Sequence, residues 1–268
     1  MVTSRLSRAD ALAALRTERS AVLEFYRALD AGEWAAPSAA AGWNVRDVLV
    51  HMTGAVRAAI TPAALRAMTT GQIERVNDRV VAENASGTPE QAFADFEIWS
   101  ARGITGLTAA TIPGVAGLPL RVGELGWFPL RLFPALYVFD WHTHLRHDIA
   151  PALEHPAPET DARRMSAILD WLLALLEQSH RAPLRWLDAP VALTLSGPGG
   201  GTWRIEPAPR NRLRVAPGDE TGTAARIRAV ALEFPLWSTT RRPWTDCEVS
   251  VDGDAALGAR FLDSINLV

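Results

Sequence analysis

The hydrophobic pattern of this chain changes period at Pro183, and that change limits the fold more than any other feature. Before it, apolar residues recur at spacings of three and four, the period of a helix that buries one face. After it come short alternating runs bounded by Gly and Pro, the pattern of strands. Side chains spaced for a helix cannot all face one side of a sheet, so a single uniform architecture is excluded. At 268 residues the chain also exceeds the usual single domain. The expected class is α + (α+β): a helical domain over residues 1–183 and a small α+β domain over residues 184–268, joined near residues 181–190.

Within the helical part, Ser7–Leu29 carries Leu12, Leu15, Val22, Phe25, Tyr26 and Leu29 on one stripe, and Gly32 ends it. Asn44 is a good N-cap for a helix running to about Arg57, and Asp47 favours its positive end. Thr-Pro pairs open two further helical regions, Pro62–Asn84, broken at Gly71, and Pro89–Ala109. Thr111–Gly126, rich in Gly and Pro, is read as a long irregular loop of the kind that borders sites. Helices are expected again over Pro129–Ile149 and Asp161–His180.

Beyond Pro183, Val191–Leu195 and Thr202–Ile205 flank Gly197–Gly201 and predict a β-hairpin. That glycine run lacks the Lys-Ser/Thr ending of a phosphate loop, and no helix follows it. Arg212–Val215, Arg226–Val230 and Glu248–Val251 are expected to add strands, and Ala255–Ile265 a closing helix.

A hydrophobic share of 48% beside 21% charged residues is that of an ordinary globular protein. With a net charge of -3 and scattered basic residues, nucleic acid is not an expected partner. All 27 basic residues are Arg, which points to a GC-rich genome. The single cysteine, Cys247, cannot form an internal disulfide, and a cytoplasmic home is expected. Met1–Asp10 lacks the apolar centre of a signal peptide, and no window has the length of a membrane span, so no membrane association is expected.

Six histidines are present, and His142, His144 and His147 crowd into one short segment with Asp140 and Asp148. On a helix, residues four apart lie one above the other, so Asp140 and His144 share a face, with His147 or Asp148 one turn further on. Such a pair can chelate one ion, and a catalytic divalent metal needs a third ligand and an open position. His51 is the best third ligand, since it shares an apolar face with Val48, Met52 and Ala55. A histidine there is either a hydrogen-bonded core residue or a ligand. His142 points nearly opposite to His144 and is read as solvated or packed, His155 and His180 as surface residues. Asn77 and Arg146 are read as solvated.

Trp43 before a helix carrying His51, followed much later by Asp140-x-x-x-His144, resembles the DinB-like superfamily of metal-binding four-helix bundles. Within it the chain is most similar to the mycothiol-dependent maleylpyruvate isomerase family. Members join the bundle to a sterol-carrier-like α+β domain, to which Leu193–Ile205 and Val251-Asp252-Gly253-Asp254 with the closing helix are similar. The resemblance implies a divalent metal, usually zinc, on His51, Asp140 and His144. Many members carry Asp three residues after the last ligand, where this chain has His147 and then Asp148, so His147 stays open as a ligand.

The resemblance further implies mycothiol, the thiol of actinobacteria, as cosubstrate, deprotonated at the metal so that Cys247 is not required. Isomerisation of an activated alkene or S-transfer to a small electrophile follows from it. Arg241 is expected to act on the substrate, with Arg242 and His147 as binding groups for its carboxylates. Two other readings remain: a non-catalytic protein binding a small molecule or lipid, and a metal-dependent hydrolase on the same bundle.

Overall fold

Three helices of the first half, those starting at Ala31, Val45 and Pro89, begin where side chains satisfy their free amide groups. The computed structural model describes residues 5–180, 182–210 and 212–267. Met1–Ser4, and Arg181 in the expected junction, therefore lie outside the described residues. Two compact units emerge, one formed by Arg8–Glu159 and the other by Thr160–Val268 with Met1–Ser7.

The first unit opens with α1 (Arg8–Arg27), whose buried stripe includes Leu12, Leu15, Val22 and Tyr26. A short α2 (Ala31–Ala35), absent from the sequence reading, is started by a reciprocal cap between Asp30 and Glu33. Helix α3 (Val45–Ala59) is capped in the same way by Asn44 and Asp47. Tyr26 joins α1 to its first turn by donating from its hydroxyl to the Val45 carbonyl at 2.9 Å. The break at Gly71 separates α4 (Ala64–Thr69) from α5 (Ile73–Glu83). Helix α6 (Pro89–Ala110) follows, with Thr88 as its cap and Pro89 in its first turn.

The stretch expected to be an irregular loop holds a small hairpin instead. Strand β1 (Pro119–Val122) pairs antiparallel with β2 (Gly126–Pro129). Its prolines do not forbid this, because Pro119 and Pro129 pair with each other at the open end, where a missing N–H interrupts no ladder. Pro129 therefore ends a strand rather than starting a helix. Helix α7 begins later (Phe133–Thr143), and the chain then widens into a π-helical turn, His144–Ile149. There the Ala150 N–H reaches back five residues to the Leu145 carbonyl at 3.0 Å.

Helices α1, α3, α6 and α7 make up the bundle: α1 packs on α7 and α6, and α3 on α6 and α7. Helix α3 lies close to α6 because Gly103 has no side chain. A Cβ at that position would stand 2.2 Å from the Val56 Cγ2 atom.

The second unit carries α8 (Ala162–Ser179), then β3 (Val191–Ser196), β4 (Gly201–Ala208), β5 (Arg212–Pro217) and β6 (Ala225–Val230). A short α9 (Phe234–Ser238), β7 (Val249–Gly253) and α10 (Ala255–Asp263) complete it. Division by packing thus puts α8 with the sheet, while the period change at Pro183 lies after it. The strands form one mixed sheet in the order β5-β4-β3-β6-β7, with β3 and β6 parallel. Val191, Ile205 and Val215 form one buried row across it. Arg204, Glu206, Glu220 and Arg228 pair on its other face. The expected hairpin is β3–β4, with the glycine run as its turn. No helix among the described residues is long and apolar enough to cross a membrane.

His180, expected at the surface, is only 4% exposed. The physical reason is its two polar partners: Nε2 accepts from the Asn266 N–H at 3.0 Å, and Nδ1 meets the Ser179 hydroxyl at 2.8 Å. Burial lowers its pKa from 6.5 to about 4.

Two outcomes test this packing. Gly103→Ala should lose about 1–3 kcal/mol in denaturant unfolding, because rigid, fully buried Val56 has nowhere to move. A neutral result would show that the two helices are not in close contact. For His180 the depressed folded pKa stabilises the protein above the unfolded value of 6.5. That stability should fall as pH drops from 6.5 to about 4. His180→Leu should be less stable at pH 7, having lost the Asn266 acceptor, yet show a shallower acid loss; an unchanged slope would reject the buried neutral imidazole.

Candidate metal centre

His51 stands in the second turn of α3 on a face buried with Val48 and Met52. Its ring lies against Trp43, with centroids 4.9 Å apart, in the loop that leads into the helix. Asp140 and His144 come from the last turn of α7 and the start of the π turn. One donor atom of each of the three residues lies within 4.8 Å of the others, and both histidines are buried. His51 Nε2 is 3.3 Å and His144 Nε2 is 3.7 Å from the same Asp140 Oδ1. The longer distance exceeds a hydrogen bond. Both suit donors around one ion, since bonds of about 2.1 Å in tetrahedral geometry put donors roughly 3.4 Å apart. Two imidazole nitrogens and a carboxylate oxygen are the donor chemistry of a borderline divalent cation such as zinc.

Asp148 Oδ2 stands 2.7 Å from His144 Nδ1. A carboxylate only accepts, so Nδ1 carries the proton and Nε2 turns its lone pair into the centre. Asp148 is itself nearly buried, and its carbonyl accepts from the Ala39 N–H at 2.8 Å, which ties the turn to the segment before α3. Asp148 stands one residue beyond the position at which an Asp is expected. A residue four positions on lies over His144 on a helix, so the one-residue departure still delivers a carboxylate.

Tyr137 adds a further tie. Its hydroxyl donates to the Ala55 carbonyl at 3.2 Å, joining α7 to α3 one turn from His51. Burial, and then the charge of Asp140, push its pKa well up, so it remains a donor. Tyr137 lies three residues before Asp140, a spacing that puts both on one helix face and was the available signal for it. Nothing in the sequence signalled a π turn.

His142 is packed and only 2% exposed, its ring 6.3 Å from that of half-buried His147. The donor cluster comprises Asp140 with the two other histidines and does not include His147. His155 is half-buried and pairs with Glu33 at 2.7 Å. Arg146 is buried, contrary to the solvated reading. It donates to Glu18 at 2.5 Å and to the Pro158 and Glu159 carbonyls at 2.9 Å. The counter-charge comes from α1, which spacing along α7 cannot reveal. Asn77 is half-buried on α5.

In the second unit, Arg241 donates to the Thr239 hydroxyl at 2.9 Å, and Arg242 lies 3.9 Å from Glu233. Burial and then Glu233 raise the Cys247 thiol pKa, which makes it a weak nucleophile.

Comparison with known proteins gives a match over one segment and a fold. Residues 15–112 match the family model described as mycothiol maleylpyruvate isomerase N-terminal domain. No curated protein matches the chain. Two crystal structures do, one of the mycothiol-dependent maleylpyruvate isomerase and one of a mutant of it. Each is 15% identical, with 92% of this chain and 93% of that chain covered, at TM-scores of 0.55 and 0.57. Likeness at this identity is likeness of fold. The chain thus has the fold of the mycothiol-dependent maleylpyruvate isomerase, and its residues 15–112 are similar to the N-terminal domain of that family.

Proposed function

We infer that this chain is a metal- and mycothiol-dependent enzyme, an isomerase or S-transferase acting on a small electrophilic substrate. The observation that carries the reading is the convergence of His51 Nε2, His144 Nε2 and Asp140 Oδ1. Three protein donors leave a divalent ion, zinc by donor chemistry, with room for an exogenous ligand. When bound, such an ion lowers the pKa of a coordinating thiol and supplies a nucleophile at neutral pH.

The chain's own residues prepare the centre. Asp148 fixes the His144 tautomer, so that Nε2 is the nitrogen that faces the centre. Trp43 holds the His51 ring in orientation, and the Tyr137 tie sets the spacing between α3 and α7. Mycothiol enters as the thiol because both fold relatives are named for it. Reversible addition of a thiol to an activated alkene gives cis-trans isomerisation, and addition to an electrophile without return gives S-transfer. In the same reading Arg241 contacts the substrate, and Arg242 and His147 bind its carboxylates.

Zinc content measured on the purified protein tests the centre. Wild type should hold close to one equivalent, and His51→Ala, Asp140→Ala and His144→Ala much less. Asp148→Asn should stay folded and bind zinc about 10–100-fold more weakly. Affinity should fall in acid, since the imidazoles must be neutral to ligate. Equal metal in wild type and all three ligand variants would overturn the centre. Turnover that persists without mycothiol would overturn the thiol assignment while leaving the metal intact.

A further inference from the structure

A cavity of about 770 Å³ opens on a different side of α3 from His51, bounded by α3, α4, α5 and the start of α6. None of the three donor residues of the metal centre lines it. Its volume lies within the range of small-molecule sites. What sets it apart is charge. Arg57 from α3, Arg66 from α4, and Arg75 and Arg79 from α5 all line it, against two carboxylates, Glu83 and Asp95.

Several arginines elsewhere have counter-charges, as Arg146 has Glu18, Arg164 has Asp161, and Arg228 has Glu220 and Asp252, whereas here four arginines without one line the same cavity. Among the described residues, Arg66, Arg75 and Arg79 pair with no carboxylate, neither Glu83 nor Asp95 included. Arg57 lies over the Trp99 ring at 4.8 Å and likewise pairs with no carboxylate among the described residues. Arg75 and Arg79 are four apart on one helix, where like charges weaken the helix.

The cavity also has an apolar wall, from Val50, Val76, Val80 and Ala92. It is held in shape at Gly54, where a Cβ would stand 2.5 Å from Val80 Cγ1, so α5 lies directly on α3 and presents its arginines along the opening. Guanidinium groups with unused donors recognise carboxylates and phosphates by paired hydrogen bonds. An apolar wall beside them accepts an uncharged body.

We propose that this cavity is a second ligand site, separate from the metal centre, that binds a small organic anion carrying two or more carboxylate or phosphate groups. The site does not depend on the metal reading. The test is calorimetric titration of the purified full chain at constant ionic strength with tricarballylate and, separately, inorganic phosphate. Saturable binding of at least one probe is expected, and the two arms distinguish a carboxylate ligand from a phosphate ligand. The combined variant Arg66→Gln, Arg75→Gln, Arg79→Gln should bind that probe at least tenfold more weakly. It should keep the wild-type circular dichroism spectrum, since all three side chains are exposed. His51→Ala should bind as wild type does. Absence of saturation with both probes, equal affinity in the triple variant, or loss of binding in His51→Ala would each overturn the proposal.

Discussion

The position of α3 is the constraint on which the first unit depends. Where Gly103 meets Val56 there is no space for a methyl group, so α3 cannot slide or rotate against α6 without a clash. The Tyr137 hydroxyl then fixes α3 to α7. Those contacts determine where His51 stands relative to Asp140 and His144, residues nearly ninety positions further along the chain. The order of the centre is therefore a product of helix packing. Local sequence contributes the side chains, and shape complementarity contributes their distances.

Charge burial follows the same logic. Glu18 and Arg146 are both buried and would each be costly alone, but their mutual hydrogen bond and the carbonyls of Pro158 and Glu159 compensate them. The pair fixes α1 against the π turn, which is the segment that must place His144 and Asp148 correctly. A π turn widens the backbone and gives up ordinary helical bonding, and such turns collect at functional sites. Here it begins at His144, and the Asp148 carboxylate four residues on stands behind that imidazole.

The similarity to mycothiol-dependent maleylpyruvate isomerase extends over nine-tenths of the chain, yet only 15% of the residues are identical. A fold survives such divergence because packing tolerates exchange of apolar side chains, whereas chemistry resides in a few polar ones. Function must accordingly be argued from the centre itself, from two imidazoles, a carboxylate and the acid behind them. The arginine-lined cavity on another side of α3 calls for the same treatment, since nothing in the fold alone requires four guanidinium groups there.

Sequence by itself determined the class of each half, most helix starts and the residue types of the centre. Those features are local: a cap acts over three residues, and an apolar stripe or an Asp-x-x-x-His pair over one or two turns. The β1–β2 hairpin was missed because its prolines read as breakers until their place at the open end of the ladder was known. Burial of Arg146 and His180 was missed because their partners, Glu18 and Asn266, are distant in sequence. Only the tertiary structure brought His51 to Asp140, set Asp148 behind His144 and drew arginines of α3, α4 and α5 around one cavity. Helical periodicity reports which face a side chain occupies; what stands opposite that face is decided by how closely the helices can pack.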